Sequence, residues 1–348
     1  MATSLGDTAW IEWMAKLMGV ASRRRDTATL PMNKFHCLLE ELPLHLIPKG
    51  ALPLKCGKDS SSAPLFLNPN CSVLPAGEVP MELHARRDLL ENFCLDCTVA
   101  WLRDPSTNSI HPFWLGPRLE EVVSEFKATA RTTRSLSDED ELLLRTAGIL
   151  TTADQGEQRS GKWSEEVSLA AHLFCEKNYA PLRNLIHPFN LAALRRYYRH
   201  LIRRGKIRLG DEQSSRRYVA HNEPVARYFH HQISNVVGAV VGEPVKPSYV
   251  YVASYLGGAE LKKHIDRRQC EFTVTLCLDF SPEPENGTSW PICLETVDGR
   301  VTVYQALGDG LMYGGTRVPH YRNLLRDGYT STSIFFHYVP ADFSGSLD

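Results

Sequence analysis

Residues 271–280 read Glu271-Phe272-Thr273-Val274-Thr275-Leu276-Cys277-Leu278-Asp279-Phe280. β-Branched and aromatic side chains dominate this run, as a buried strand requires, because they pack well on a pleated surface. The flanking sequence repeats the pattern. Upstream, Tyr251-Val252-Ala253-Ser254-Tyr255 reads as an apolar strand, and Leu256-Gly257-Gly258-Ala259-Glu260-Leu261 as the turn after it. Downstream, Glu283-Pro284-Glu285-Asn286-Gly287 is a turn ahead of Ser289-Trp290-Pro291-Ile292-Cys293-Leu294. Arg300-Val301-Thr302-Val303-Tyr304 alternates, Gly308-Asp309-Gly310 turns into Leu311-Met312-Tyr313, and Ser331 to Val339 forms a last strand. Short strands with frequent turns predict a β-sandwich or barrel rather than a doubly wound sheet.

Within this strand-rich part stands His264-Ile265-Asp266, followed 54 residues after the aspartate by His320. Side chains two apart on a strand point the same way, so a His-x-Asp pair places two ligands on one face, and a histidine from a later strand closes a triad. Two imidazoles and one carboxylate occupy three facial positions of an iron(II) ion and leave the opposite positions open. His-x-Asp alone also occurs by chance, so the flanking residues decide its weight.

Several of those residues occur together in a known order. Tyr255 with its following glycines, the pair His264 and Asp266, the run Gly308 to Tyr313, Pro319-His320-Tyr321-Arg322 and the final Phe336-His337-Tyr338 resemble the iron(II)- and 2-oxoglutarate-dependent dioxygenases, in their prolyl-4-hydroxylase-like branch. The resemblance covers roughly residues 180 to 340 and leaves the N-terminal half without a match. It implies a double-stranded β-helix (jelly-roll) core in the C-terminal half, which, with an N-terminal region read as mainly helical from its apolar spacing, makes an α+β chain. The division is expected between residues 1–165 and 166–348. It implies Fe(II) as metal, with 2-oxoglutarate and dioxygen as co-substrates, and His264, Asp266 and His320 as the ligands. Related halogenases replace the ligand carboxylate by a small residue, so Asp266 points to hydroxylation, desaturation or oxidative cyclisation.

One departure from the family concerns the cation that pairs with the distal carboxylate of 2-oxoglutarate. The window where the branch carries it holds Tyr329, Thr330 and Ser331. A buried carboxylate without a partner is costly, so another base must serve. Arg322, two residues after His320 and on its face of the strand, is the first candidate, and Arg326, in a turn-like segment, the second. Tyr255 is a candidate contact to the co-substrate carboxylate, with a buried aromatic as the alternative. Trp290 either lines a substrate pocket or belongs to the core, and Arg317 either meets an anionic substrate or is a solvated loop residue. His337, in an apolar strand, reads as a satisfied core histidine rather than a fourth ligand.

Composition agrees with a soluble enzyme. The chain has 348 residues, a formal charge of -1 and nine scattered cysteines, and its pI is about 6.9. Near-neutral charge gives no reason to expect nucleic acid or an anionic membrane. The basic stretch Arg195 to Lys206 reads as an amphipathic helix with a solvated face. Scattered thiols suit a reducing compartment, Cys94-Leu95-Asp96-Cys97 lacks a second pair for zinc, and neither a secretory signal pattern nor a membrane-length apolar run is visible. Cytoplasm is the expected location.

In the N-terminal half, helical spacing marks Trp10–Met18, Leu38–Leu42, Arg87–Phe93 and Leu119–Ala128, and Ser137 caps an acidic first turn. Gly57–Pro64 and Thr151–Gly161 read as loop and mobile polar segment. The substrate expected is a small molecule such as an amino acid or natural-product intermediate, enclosed beneath this region. A peptide or protein hydroxylase is the alternative enzyme, and a non-catalytic jelly-roll binding protein the alternative of another class. The sequence leaves the oligomeric state open.

Overall fold

A computed structural model describes residues 30–49, 64–129 and 136–348. The helix expected at Trp10–Met18 and most of the loop from Gly57 lie outside these residues. The N-terminal part contains β1 (Phe66–Leu67), β2 (Cys71–Leu74), β3 (Val99–Arg103), β4 (Ile110–Trp114) and β5 (Leu150–Thr151), with helices α1 (Pro117–Thr129) and α2 (Asp138–Thr146). Strands β2, β3 and β4 form an antiparallel sheet, and β1 pairs with β5. Helix α2 starts where the sequence predicts, with Ser137 accepting from the Asp140 N–H. A mainly helical reading misses β3 and β4, in which Trp101, Phe113 and Trp114 are buried. Strands buried on both faces lose the polar alternation that betrays a half-exposed strand. Leu39–Glu41 and Met81–Leu90 wind as 3₁₀ rather than α-helices.

Helix α3 (Ala153–Lys177) replaces the mobile segment expected after Thr151. Its first turns are polar in sequence, but Gln, Glu and Arg are good helix formers, so polarity alone misleads there. The expected division after residue 165 falls inside this helix. One apolar cluster runs from Phe35 and Trp114 to Val274 and Tyr338, across that division. Beyond it follow β6 (Tyr179–Leu182), α4 (Pro188–Arg203), β7 (Arg208–Leu209), β8 (Arg217–His221) and α5 (Pro224–Val241). Glu223 caps α5 by accepting from the Ala226 N–H, and Gly242, at φ 79°, supplies the left-handed residue that ends it. The basic helix α4 is less solvated than its sequence suggests. Arg195 is fully buried and donates to Asp279 and Glu283.

The remaining strands are β9 (Val245–Leu256), β10 (Leu261–His264), β11 (Phe272–Ser281), β12 (Ile292–Thr296), β13 (Gly299–Val303), β14 (Gly310–Gly314), β15 (His320–Arg322) and β16 (Thr330–Pro340). They divide between a seven-stranded sheet, β6-β14-β11-β16-β9-β8-β7, and a four-stranded sheet, β10-β15-β12-β13. Every pairing in both is antiparallel. Successive side chains of β11 serve two cores, as a period of two dictates. Val274, Leu276 and Leu278 join the cluster formed with the helices, whereas Cys277 joins Tyr255, Trp290 and Phe335. Helices and antiparallel sheet together make the chain α+β. The eight described cysteines are free, and no helix among the described residues is long and apolar enough to cross a membrane.

Candidate metal centre

Strands β10 and β15 pair so that His264 lies opposite His320. That register brings two imidazoles, distant in sequence, to a centroid separation of 4.3 Å. Asp266 lies just past the end of β10 rather than on the strand, held by its N–H donating to Gly315 O at 2.8 Å. Its Oδ1 is 3.5 Å from His264 Nε2 and 3.6 Å from His320 Nε2. The three sequence-predicted ligands therefore converge, with ligand atoms within 4.8 Å of one another.

Proton placement follows from the partners. His264 Nδ1 contacts Lys262 O at 2.7 Å, and His320 Nδ1 contacts Val318 O at 3.0 Å. A carbonyl only accepts, so each Nδ1 carries a hydrogen and each Nε2 faces the centre, where hydrogen bonding to Asp266 raises the His264 pKa and a metal would take the place of the Nε2 proton. Asp266 Oδ2 accepts from Thr273 Oγ1 at 2.9 Å. That spends the hydroxyl's one hydrogen, so His337 Nδ1, 2.9 Å from the same oxygen, is the donor to it. Burial raises the Asp266 pKa, but hydrogen bonding from His264 and Thr273 and the charges of His320 and His337 hold it below the usual carboxylate range. Two imidazole Nε2 atoms and an ionised carboxylate are a donor set for a divalent transition metal. Cys270 and His337 also approach Asp266. Burial pushes the Cys270 thiol up to about 12 and His337 Nδ1 is committed to Thr273, which makes them poor ligands. Gly315 permits the close approach: a Cβ there lies 2.6 Å from Asp266 Oδ2 and 2.7 Å from Thr273 Oγ1.

The centre opens into a cavity of about 450 Å³. Behind it, between the sheets, Arg322 is buried without a carboxylate among its hydrogen-bond partners. Its Nη1 donates to Trp290 O at 2.6 Å, its Nη2 to Gln305 Oε1 at 3.0 Å, and it lies 4.9 Å from the Trp290 ring centroid. Among the described residues its Nε has no hydrogen-bond partner, and neither have the buried hydroxyls of Thr275 and Ser333. Burial lowers the Arg322 pKa, and its charge helps hold His320 low. Tyr255 stands edge-on to Trp290 and its hydroxyl accepts from Arg217 Nη1 at 3.1 Å. The other candidates lie elsewhere. Arg326 is exposed beside Tyr329. Arg317 pairs with Glu271 at 3.1 Å. Trp290 is a buried platform under Arg322 and does not line the cavity.

Sequence reading missed the outer wall. Arg217 and Tyr251 both donate to Asp211 Oδ2, each at 2.5 Å in their shortest contact, and Arg217 stacks 5.5 Å from the Tyr251 and Tyr255 centroids. Their signal was weak, because Asp211 and Arg217 look like an ordinary polar turn and its exit.

No protein-family model matches the chain, and no curated protein matches it in sequence. Among solved structures it is similar to a Pseudomonas putida prolyl-4-hydroxylase, at 15% identity over 50% of this chain and 98% of that one, with a TM-score of 0.42. It is similar to a Trichoplax adhaerens prolyl hydroxylase in complex with a hypoxia inducible factor oxygen degradation domain peptide fragment, at 13% identity over 52% and 92% of the two chains, with a TM-score of 0.44. A third is HygX from Streptomyces hygroscopicus with nickel, 2-oxoglutarate and hygromycin B bound, at 13% identity over 50% and 88%, with a TM-score of 0.40.

Proposed function

We propose that the chain is an iron(II)- and 2-oxoglutarate-dependent oxygenase, with β9 to β16 forming a double-stranded β-helix and His264, Asp266 and His320 holding the metal. The strand order supports the fold reading: β9, β11, β14 and β16 lie together in one sheet, and β10, β12, β13 and β15 in the other. The observation that carries the function is the convergence of the His264 and His320 Nε2 atoms on Asp266 Oδ1, with each Nδ1 held by a backbone carbonyl. Iron(II) with 2-oxoglutarate and dioxygen supplies oxidation of a substrate C–H bond coupled to decarboxylation of the co-substrate to succinate.

The protein's part is to bind, orient and exclude water. Arg322 offers its free Nε to the distal carboxylate of the co-substrate, with the Thr275 and Ser333 hydroxyls as further donors. Thr273 and His337 fix the Asp266 carboxylate so that Oδ1 faces the imidazoles. Tyr313, whose ring centroid is 4.6 Å from that of His320, packs against that side chain. The cavity size suits a small-molecule substrate.

Succinate formation from 2-oxoglutarate by the iron-loaded protein tests the reading, alongside His264→Ala, Asp266→Ala and His320→Ala with their circular dichroism spectra. The wild type should form succinate, and each variant should keep its fold and lose turnover. Full turnover by any variant removes the triad assignment. A wild type that binds 2-oxoglutarate but never forms succinate is a binding protein.

A further inference from the structure

Arg267 directly follows the ligand Asp266 and lines the same cavity. Its Nε donates to the Tyr249 hydroxyl at 3.2 Å, and its guanidinium carbon lies 4.5 Å from the centre of the Tyr249 ring. Tyr249 is itself buried, with its hydroxyl 3.0 Å from Cys270 Sγ, so the ring is a fixed platform. A guanidinium stacked on a ring and tethered through Nε turns its two-nitrogen edge away from the tether. That edge is the fork that grips a carboxylate or phosphate with two parallel hydrogen bonds.

Neighbouring charges leave this fork available. Arg217, on the same wall, is spent on Asp211, which takes two of its nitrogens at 2.9 and 2.5 Å. Among the described residues no carboxylate forms an ion pair with Arg267: its Nε donates to Tyr249, Cys270 also bonds to it, and the carboxylate whose charge acts on it is the exposed Asp348. Arg208 lines the cavity too and donates only to Gly210 O. Resting on the oxygenase reading above, which sends the co-substrate's distal carboxylate inward to Arg322, we infer that Arg267 on Tyr249 receives an anionic group of the substrate. That group is a carboxylate or a phosphate monoester, and its capture one residue from Asp266 fixes which substrate carbon faces the metal.

The test is calorimetric titration of the protein loaded with zinc(II) and 2-oxoglutarate. The probes are a panel of aliphatic, aromatic and amino acids, each paired with its primary amide, and of alkyl and aryl phosphates, each paired with its alcohol. Anionic members should bind at least about tenfold tighter than their neutral partners, and the arm with the larger preference tells carboxylate from phosphate. Arg267→Gln should abolish the preference, Arg267→Lys should retain part of it, and Arg268→Gln, exposed like Arg267 but outside the lining of this cavity, should leave it intact. The inference is overturned if neutral members bind as well as anions, if no anion binds, or if the preference survives in Arg267→Gln. Failure of 2-oxoglutarate to bind the zinc-loaded protein tells instead against the oxygenase reading.

Discussion

Arg322 makes the strongest demand of any single side chain here, because a guanidinium buried without an anion carries a desolvation cost of several kcal/mol. Its protein partners are a carbonyl, a side-chain amide and an indole ring, none of them charged. A bound dicarboxylate answers that demand. Arg322→Gln should therefore weaken 2-oxoglutarate binding by about 2–5 kcal/mol, the range for truncating one member of a buried charge pair, while Arg326→Gln changes it little. Titration of both variants decides: equal affinities for Arg322→Gln and wild type would move the anchor elsewhere. Gly315 sets a second prediction. A Cβ in Gly315→Ala would clash with Cys270 O and stand 2.6 Å from Asp266 Oδ2, so backbone and carboxylate must both shift and the variant should lose roughly 10–100-fold in metal affinity, the range for disturbing a ligand's support. Unchanged affinity would show that the carboxylate has room to shift. At this scale the convergence of His264, Asp266 and His320 was legible, because a His-x-Asp pair and a later histidine have a chemical signature. Thr273, Gly315, Asp211 and Arg217 were not, since their roles arise only when the register of distant strands brings them to the centre.

Elements are held in place by polar clusters as much as by apolar packing. Helix α4 is tied to β11 through Arg195 and Arg199, both of which donate to Asp279. Asp279→Ala would leave Arg195, fully buried, with only Glu283 and the Leu46 carbonyl. Removing one acceptor from a buried group that Glu283 still neutralises costs about 1–3 kcal/mol, and urea denaturation of Asp279→Ala should show a loss of that order. A loss under about 1 kcal/mol, the range for an exposed pair, would mean that the cluster is solvated. Strands β11 and β16 were readable because their β-branched and aromatic runs admit little else. Strands β3 and β4 escaped because both their faces are buried, and α3 because its first turns are polar. Arg195 escaped because a basic helix face reads as solvated until an acidic strand end is known to lie beneath it.

Across the whole molecule, buried imidazoles link stability to pH. His36 and His337 are each lowered to about 4, chiefly by burial. The unfolded chain takes up these protons below about pH 6.5, the folded chain only below about 4. Stability contributed by the neutral rings is therefore complete above pH 6.5 and lost as pH falls toward 4, by up to about 3 kcal/mol each. Metal-free protein should show its urea midpoint falling through that window, and a midpoint constant from pH 7 to 4.5 would contradict the burial of these rings. The apolar cluster that joins Phe35 to Tyr338 makes the N-terminal part a buttress of the sheets that carry the site, which no local sequence pattern announces because the contacts are long-range. On the proposed function, His264, Asp266 and His320 would hold iron(II) and leave room for a chelating keto acid. An anaerobic visible spectrum of the protein with iron(II) and 2-oxoglutarate tests it most directly. The wild type should develop the metal-to-ligand charge-transfer band of that chelate and Asp266→Ala should not, whereas no band in folded wild-type protein, or an equal band in Asp266→Ala, would contradict the account.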